Sequence, residues 1–473
     1  MLTGIGISNI SFLNIFFHFF KPNNMNIRMK AVLVCIAFAL IIPMGCKKEE
    51  DHGHIGKHGL PASFFNSEVP EAWFKLAISL SRTTPGNTGP VASRMFGYMG
   101  LALYEAVVPG MPDFRSLQKQ LNGLPTLPKV ENNRNYYFSV SANAALASMA
   151  HHMFGNASPA QNTTIDSLEN VFNSEFKTAL STQVFDHLLS ADFDRSVSFG
   201  KSISDAIYDW STTDGGDKAY LNVSPSDYIP PVGAGLWVAQ TGQVAQHPHW
   251  GDKRTFIADI ASNTQPVAPP AYSLDPTSQF FTEELEVYNE SINQDPEHRA
   301  IAVYWAAIPP PTVSMSILGA VLADKDANLS TAAEAYCKLG MAIADAFVSC
   351  YKTKYYYNQE RPVSFIHDNF NATWVPTLGG TPPFPDYTSA HSVQTGAAAR
   401  VLADLFGDNT TFTDYSINDL GFPPRTFNKF SDYAYEVGLS RIYGGIHIRS
   451  SDFIGLDQGD KVGKQVGALH FRK

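Results

Sequence analysis

The sequence predicts an all-α protein, two helical bundles in one compact unit, and three observations predict it. Apolar residues recur at steps of three and four through most of the chain, and strand-like alternation is scarce. The helical stretches stop at proline and glycine clusters such as Pro109-Gly110 and Pro309-Pro310-Pro311. At 473 residues, with 44% hydrophobic and 16% charged residues, the chain is a globular protein with room for a large core. A net charge of −10 argues against nucleic acid as a partner, since its binders carry a basic face. The cations gathered between Lys354 and Arg441 are therefore a local exception and more informative than the total.

The first 46 residues read as a leader. Ser8–Phe20 is apolar without a charged start, whereas Arg28 and Lys30 precede a second apolar run, Ala31–Met44, and then Gly45-Cys46. That run falls short of the roughly 20 residues that span a bilayer. Gly45-Cys46 followed by Lys47-Lys48-Glu49-Glu50-Asp51 resembles a bacterial lipoprotein cleavage site with an acidic surface-export signal. The resemblance implies export and a lipid anchor at Cys46, on the outer membrane or cell surface; an ordinary secretory signal would leave the protein periplasmic. Residues 47–67 read as a polar linker, in which His52, His54 and His58 belong to a tether rather than a metal site. Two of the four cysteines lie in the leader, and Cys337 and Cys350 fall on one predicted helix, about 20 Å of rise apart, too far to bridge.

Residues 68–325 form the N-terminal helical half. Helical spacing runs from Glu68 to about Gly110, then through Tyr136–Met153, Asn162–Leu189 and Asp192–Trp210. His151-His152 are adjacent on a helix, where neighbours point about 100° apart and do not chelate together. From Tyr220 to Pro270 the period vanishes in a Pro- and Gly-rich stretch holding Trp237, His247-Pro248-His249-Trp250 and Arg254. Its two histidines offer metal-ligand spacing, but a packed connection clamped by tryptophans is the preferred reading. Helix returns near Gln279 and through His298–Ala307, ending at the triple proline.

Residues 326–473 form the C-terminal half and carry the chemistry. Ser330 is a natural N-cap for a helix to about Tyr357, on which Tyr336, Gly340, Ile343, Phe347, Cys350 and Lys354 share one face. A lysine at the end of a buried stripe needs an anionic partner. Arg361 comes seven residues later, and Pro362 disfavours helix at it. Pairing of this arginine with Glu360 or Asp368 is the purely structural alternative. After the non-helical Thr381–Tyr387, Ser389 caps a helix Ala390–Phe406, setting the Ser389 hydroxyl, the Ala390 N–H and His391 at a helix N-terminus that favours anions. A helix from about Thr426 to Tyr443 ends in Ser440-Arg441, and His447 follows Gly444-Gly445. Asp452 is read as the N-cap of the last helix rather than as a partner of His447. Three cations, a hydroxyl, a helix N-terminus and two imidazoles suit a tightly held tetrahedral oxyanion.

Lys354-x6-Arg361-Pro362, Ser389-Ala390-His391 and Ser440-Arg441-x5-His447 resemble the three-part signature shared by vanadium-dependent haloperoxidases and type 2 phosphatidic acid phosphatases. Ser93-Arg94 to Glu105-Ala106, Trp250-Gly251 with Arg254 and Phe256, Tyr304-Trp305-Ala306 and Ile343–Ala346 extend the likeness to the soluble haloperoxidase branch, over most of the chain from about residue 68. The resemblance implies that Lys354, Arg361 and Arg441 neutralise the oxygens of vanadate, or of phosphate in the same site. Ser389 and the Ala390 N–H complete the cradle, His447 bonds vanadium, and His391 acts as acid and base. Hydrogen peroxide and a halide, iodide or bromide ahead of chloride, would be the substrates, and a homo-oligomer is compatible with the family. The chain departs from the family pattern in Ala390 for glycine, Thr388 for proline, Tyr351 for tryptophan and Ile308 for an acid, while Phe384 matches an aromatic of chloroperoxidases. Tyr351 and Phe384 are thus candidates for the halide pocket. Two other readings stand beside this one: a soluble acid phosphatase acting through a phosphohistidine, and a non-catalytic surface-binding lipoprotein. The phosphatase branch is typically membrane-embedded, and beyond the leader this chain has no 18-residue apolar stretch.

Overall fold

The computed structural model describes residues 57–181 and 190–473. The expected leader, the lipid anchor expected at Cys46, His52, His54 and the end of the helix expected to reach Leu189 lie outside the described residues. From Lys57 onward the stretch expected to be linker lies against the body. The His58 carbonyl accepts from Tyr136 N–H at 2.9 Å and the Phe65 carbonyl from Leu329 N–H at 2.8 Å.

The described chain is helical, as its periodicity predicts. The described residues open with helices α1 (Glu68–Thr83), α2 (Gly89–Val107), α3 (Phe138–Met153), α4 (Pro159–Ser181) and α5 (Ser190–Ser211). After the irregular stretch come α6 (Gln279–Ile292), α7 (Pro296–Ala306), α8 (Pro310–Asp324), α9 (Leu329–Tyr357) and α10 (Pro362–Asn369). The C-terminal part holds α11 (Ala390–Phe406), strands β1 (Phe412–Asp414) and β2 (Arg425–Phe427), α12 (Phe430–Tyr443) and α13 (Arg449–Gly467). Several boundaries differ from expectation for identifiable reasons. Prolines 309–311 end α7 but also start α8, because proline's fixed φ and missing N–H suit the first turn of a helix. Pro362 starts α10 in the same way, leaving Arg361 extended at φ −90, ψ 151. Asn328 rather than Ser330 caps α9, its side chain accepting from Thr331 N–H at 3.0 Å. Arg425–Phe427, expected to be near the start of a helix, pairs antiparallel with Phe412–Asp414.

Helix α9 is buried on nearly every side, and it packs against both α2 and α11. Where α9 crosses α2, glycines let the backbones touch: a Cβ on Gly100 would stand 2.5 Å from the Tyr336 carbonyl oxygen. On the far side α11 packs between α9, α12 and α13, and Gly459 of α13 lies directly on α11. One continuous hydrophobic cluster runs through both groups of helices. A smaller one, with Phe280, Val363, Phe365, Ile366, Ile442 and Ile448, seats α6 and α10 beside the turn that leads to His447. The irregular stretch is a packed connection. Trp237 and Trp250 are buried, and Asp345 of α9 accepts from Phe256 and Ile257 N–H at 2.8 and 3.0 Å. Among the described residues no single helix is long and apolar enough to cross a membrane.

The α11–α13 contact fixes the elements that carry Ser389 and His447, so it should tolerate no added volume. A Cβ on Gly459 would fall 2.0 Å from the Val393 carbonyl oxygen, whereas one on Gly380 would meet nothing within 4 Å. Gly459→Ala is therefore expected to lose at least about 2 kcal/mol in denaturant unfolding, and Gly380→Ala to lie within about 0.5 kcal/mol of the parent.

Candidate active site

Helix α9 ends in the site. Lys354, in its last turn and fully buried, donates from Nζ to the carbonyls of Pro385 and Asp386 at 2.9 and 2.8 Å. An ammonium has three donors, so one hydrogen remains uncommitted. Burial pushes its pKa down to about 7; the neighbouring Arg361 charge pushes the same way, while Cys350 and Asp386 oppose it.

Arg361, 1% exposed, is the extended residue that immediately precedes α10. Its Nε donates to the Phe384 carbonyl at 2.8 Å and its Nη1 to the Ile446 carbonyl at 2.7 Å. Nη1 also lies 3.2 Å from His447 Nε2, and Nη2 has no partner. Both Lys354 Nζ and the Arg361 guanidinium stand over the Phe384 ring, 5.1 and 5.0 Å from its centroid. Arg441, in the last turn of α12, is buried; its Nη1 reaches the Trp305 carbonyl at 3.3 Å and its Nε has no partner. Burial lowers its pKa to about 10 against the support of Asp452.

Ser389 caps α11, its hydroxyl accepting from Ser392 N–H at 3.5 Å, and Ala390 opens the helix beneath it. His391, the next residue, donates to the Trp305 carbonyl and retains partial exposure. Burial first, and then the charges of Arg441 and His447, hold its pKa well below the usual histidine range. It is a neutral base at ordinary pH.

His447 follows the turn after α12, where Gly445 sits at φ 76. Its Nδ1 lies 2.6 Å from Asp386 Oδ1, out of line for a straight hydrogen bond. On the other side, Arg361 Nη1 donates toward Nε2. This places the imidazole proton on Nδ1 and leaves the Nε2 lone pair facing the cations. Burial, Arg361 and Lys354 hold this imidazole well below its ordinary pKa.

Asp386 was not singled out in the sequence, yet it organises this corner. Its carboxylate takes the Ser451 hydroxyl and the Ile448 N–H, and burial pushes its pKa to about 6 against the pull of Arg361 and Lys354. The available signal was a lone acid in the proline-rich loop before Ser389. Asp452 is not a cap. It lies in the first turn of α13, whose N-cap is Ile448, and its Oδ1 accepts from the Ser392 hydroxyl at 2.9 Å. Glu283 of α6 caps α13 from outside, accepting from Ser450 N–H at 2.8 Å.

A cavity of about 310 Å³ leads from the surface to His391. Tyr351, Phe384 and Ala390 share its wall, together with Thr88, His247 and Ile308. Lys354, Arg361, Ser389, Arg441 and His447 do not line it and are buried. The structure thus brings the three sequence clusters to one place. It keeps His151, His152 and His249 apart from it, on Asp166, Asp205 and Asp227.

The donor set fits a tetrahedral oxyanion. Arg361 Nη2 and Arg441 Nε are buried charged donors without partners, each a cost of several kcal/mol unless an anion takes them. His447 Nε2 stands beside them, and its lone pair, which accepts from Arg361 Nη1 here, becomes available to the central atom when an anion takes that hydrogen.

The family model of the VCPO second helical-bundle domain matches residues 334–472. Among solved structures, the chain is similar to a protein described as the first bacterial vanadium-dependent iodoperoxidase, at 30% identity and a TM-score of 0.75, over 86% of this chain and 97% of that one. It shares its fold with the holo-type and apo-type bacterial vanadium-dependent chloroperoxidase, at 14% identity and TM-scores of 0.60 and 0.61, over 82% of this chain and 93% and 97% of theirs. No curated protein matches it.

Oxyanion binding should take up a proton on Lys354. Its pKa of about 7 in the free protein rises when an anion neutralises the site, so uptake is small below about pH 6 and approaches one proton above about pH 8. Affinity correspondingly falls as pH climbs past 7. Sulfate, fully ionised throughout this range, reads the effect in calorimetry across buffers of different ionisation enthalpy. Lys354→Met should abolish the uptake.

Proposed function

Because the chain belongs to the vanadium-dependent haloperoxidase family, we propose that it binds vanadate and oxidises a halide with hydrogen peroxide to hypohalous acid. The observation that carries this reading is the pair of partnerless buried arginine donors beside His447, whose Nε2 faces the cations and whose Nδ1 lies 2.6 Å from Asp386 Oδ1. Lys354, Arg361, Arg441, Ser389 and the Ala390 N–H would hold the vanadate oxygens, and His447 Nε2 its vanadium. When bound, vanadate supplies a Lewis-acid centre that activates hydrogen peroxide without changing redox state.

The protein's own part is proton handling and exclusion of water. His391 stands where the cavity meets the cradle. With one ring nitrogen donating to Trp305, its other nitrogen accepts the proton that hydrogen peroxide loses and returns it to the oxygen that leaves. Halide, hydrogen peroxide and one proton thereby give hypohalous acid and water. The halide reaches the site through the cavity, past Tyr351 and Phe384. Iodide, large and weakly hydrated, loses least on entering walls this apolar, which favours iodide, then bromide, ahead of chloride.

The same donors would hold phosphate, with His447 Nε2 as nucleophile toward phosphorus and His391 as acid toward the departing alcohol. Vanadate separates the two readings. Assays of iodide, bromide and chloride oxidation beside phosphomonoester hydrolysis should show halide oxidation that appears only with vanadate. His391→Ala should cut that rate by about 100-fold or more. Phosphatase activity that vanadate inhibits, with no halide oxidation, would select the phosphohistidine reading. Neither activity, with vanadate failing to bind, would select a non-catalytic surface lipoprotein.

A further inference from the structure

The cavity wall carries a polar pair that the proposed chemistry does not use. Thr88 occupies the N-cap position of α2, where a threonine hydroxyl normally accepts from the helix backbone, yet its side chain makes no capping bond. The hydroxyl instead meets His247 Nε2 at 2.8 Å. His247 is 5% exposed and holds a left-handed backbone, φ 55, a conformation that non-glycine residues seldom adopt. The backbone is pinned there: His247 N–H donates to the Val223 carbonyl at 2.8 Å, Gln246 N–H to Pro383 at 3.0 Å, and Trp250 N–H to His247 at 3.0 Å. Its ring packs edge-on against Tyr351, 5.9 Å between centroids, and against Trp250 at 5.2 Å. A threonine diverted from its cap and a histidine held in a strained turn are local rules broken at one spot, the pattern expected of a functional site.

Counting hydrogens identifies what the pair offers. Burial, assisted by the Lys253 charge, lowers the His247 pKa to about 4, so at neutral pH the ring has one N–H and the threonine one O–H. Only one of these two hydrogens can lie in the bond between them. Whichever tautomer holds, one hydrogen of the pair lies outside the bond between them, and both residues line the cavity. No Asp, Glu, Lys or Arg lines that cavity; the other walls are mostly apolar, among them Pro90, Ala307, Ile308, Phe347 and Phe384. A wall without carboxylates does not repel anions. A wall that offers only a few neutral donors, the pair's spare hydrogen with Gln246 and Tyr351 beside it, among mostly aromatic and aliphatic groups suits a large, weakly hydrated monovalent anion better than a small one whose hydration must be replaced in full.

We propose that Thr88 and His247 together form the halide-binding subsite, the pair being specificity-determining residues for an iodide-sized anion on its way to His391. The inference rests on the halide-oxidising reading, but its test does not need turnover. Crystals of the vanadate-free protein soaked in iodide should show an anomalous peak in contact with the Thr88 hydroxyl or the His247 ring. Iodide peaks confined to other surfaces would overturn the proposal. In the loaded enzyme, the double variant Thr88→Val with His247→Phe should raise KM for iodide by about tenfold or more and leave vanadate affinity as in the parent. Thr88→Ser, which keeps the pair, should behave like the parent. An unchanged KM in a folded double variant would overturn the proposal as well. An iodide peak on the pair in a protein that oxidises no halide would leave this anion subsite standing and remove the proposed function instead.

Discussion

Three cations withdrawn from water within one small volume govern this structure. Lys354, Arg361 and Arg441 are each 2% exposed or less, and an unsolvated charge costs several kcal/mol even after the surroundings relax. The protein offsets this with carbonyls rather than with a full set of acids: Phe384, Pro385 and Asp386 from one loop, Ile446 from another, and Trp305 from α7. Two buried carboxylates, Asp386 and Asp452, are near enough to help, and burial holds both toward their neutral forms. A positive excess with spare donors is left over. The fold is stable enough to carry that deficit because the long α9 and the glycine-lined α11–α13 contact bury a continuous hydrophobic cluster around it.

The same arrangement sets the protonation of the two histidines. Arg361 toward Nε2 and Asp386 at Nδ1 fix the tautomer of His447 and leave one lone pair directed at the cations. His391 is tied by a single bond to Trp305 and remains the member of the site in touch with the cavity. One imidazole is thus held in a fixed tautomer among the cations and the other kept neutral at the cavity, and the difference comes from their surroundings alone. Glu284 of α6, fully buried with neither carboxylate oxygen partnered, lies within the field of Asp386 and Glu360. Its strongly raised pKa keeps a third negative charge away from this corner.

Much of this was legible in the sequence because it depends on local rules. The stripe from Tyr336 to Lys354, the extended residue before Pro362 and the Ser389 cap each follow from spacing or backbone preference over a few residues, and each stands where those rules put it. Tertiary partners were not legible. Asp386 is 61 positions from His447 in the chain, inside the non-helical Thr381–Tyr387, where nothing local points to that partner. Asp452, which looked like a cap, turns inward to Ser392 because Glu283 from another helix already serves the α13 N-terminus. His247 looked like packing in an irregular stretch, and nothing local says that Thr88, 159 residues earlier, would give up its cap for it. The helix starting inside the triple proline was missed because proline signals both an end and a beginning.

The central claim is that one tetrahedral oxyanion completes the coordination of these cations and of His447. A crystal structure of the protein soaked in vanadate tests it most directly. The account predicts density for a single vanadate with vanadium at bonding distance from His447 Nε2 and its oxygens on Lys354, Arg361 Nη2, Arg441 Nε and the start of α11. Vanadate bound elsewhere, bonded through Nδ1 with Asp386 displaced, or absent at saturating concentration would contradict it.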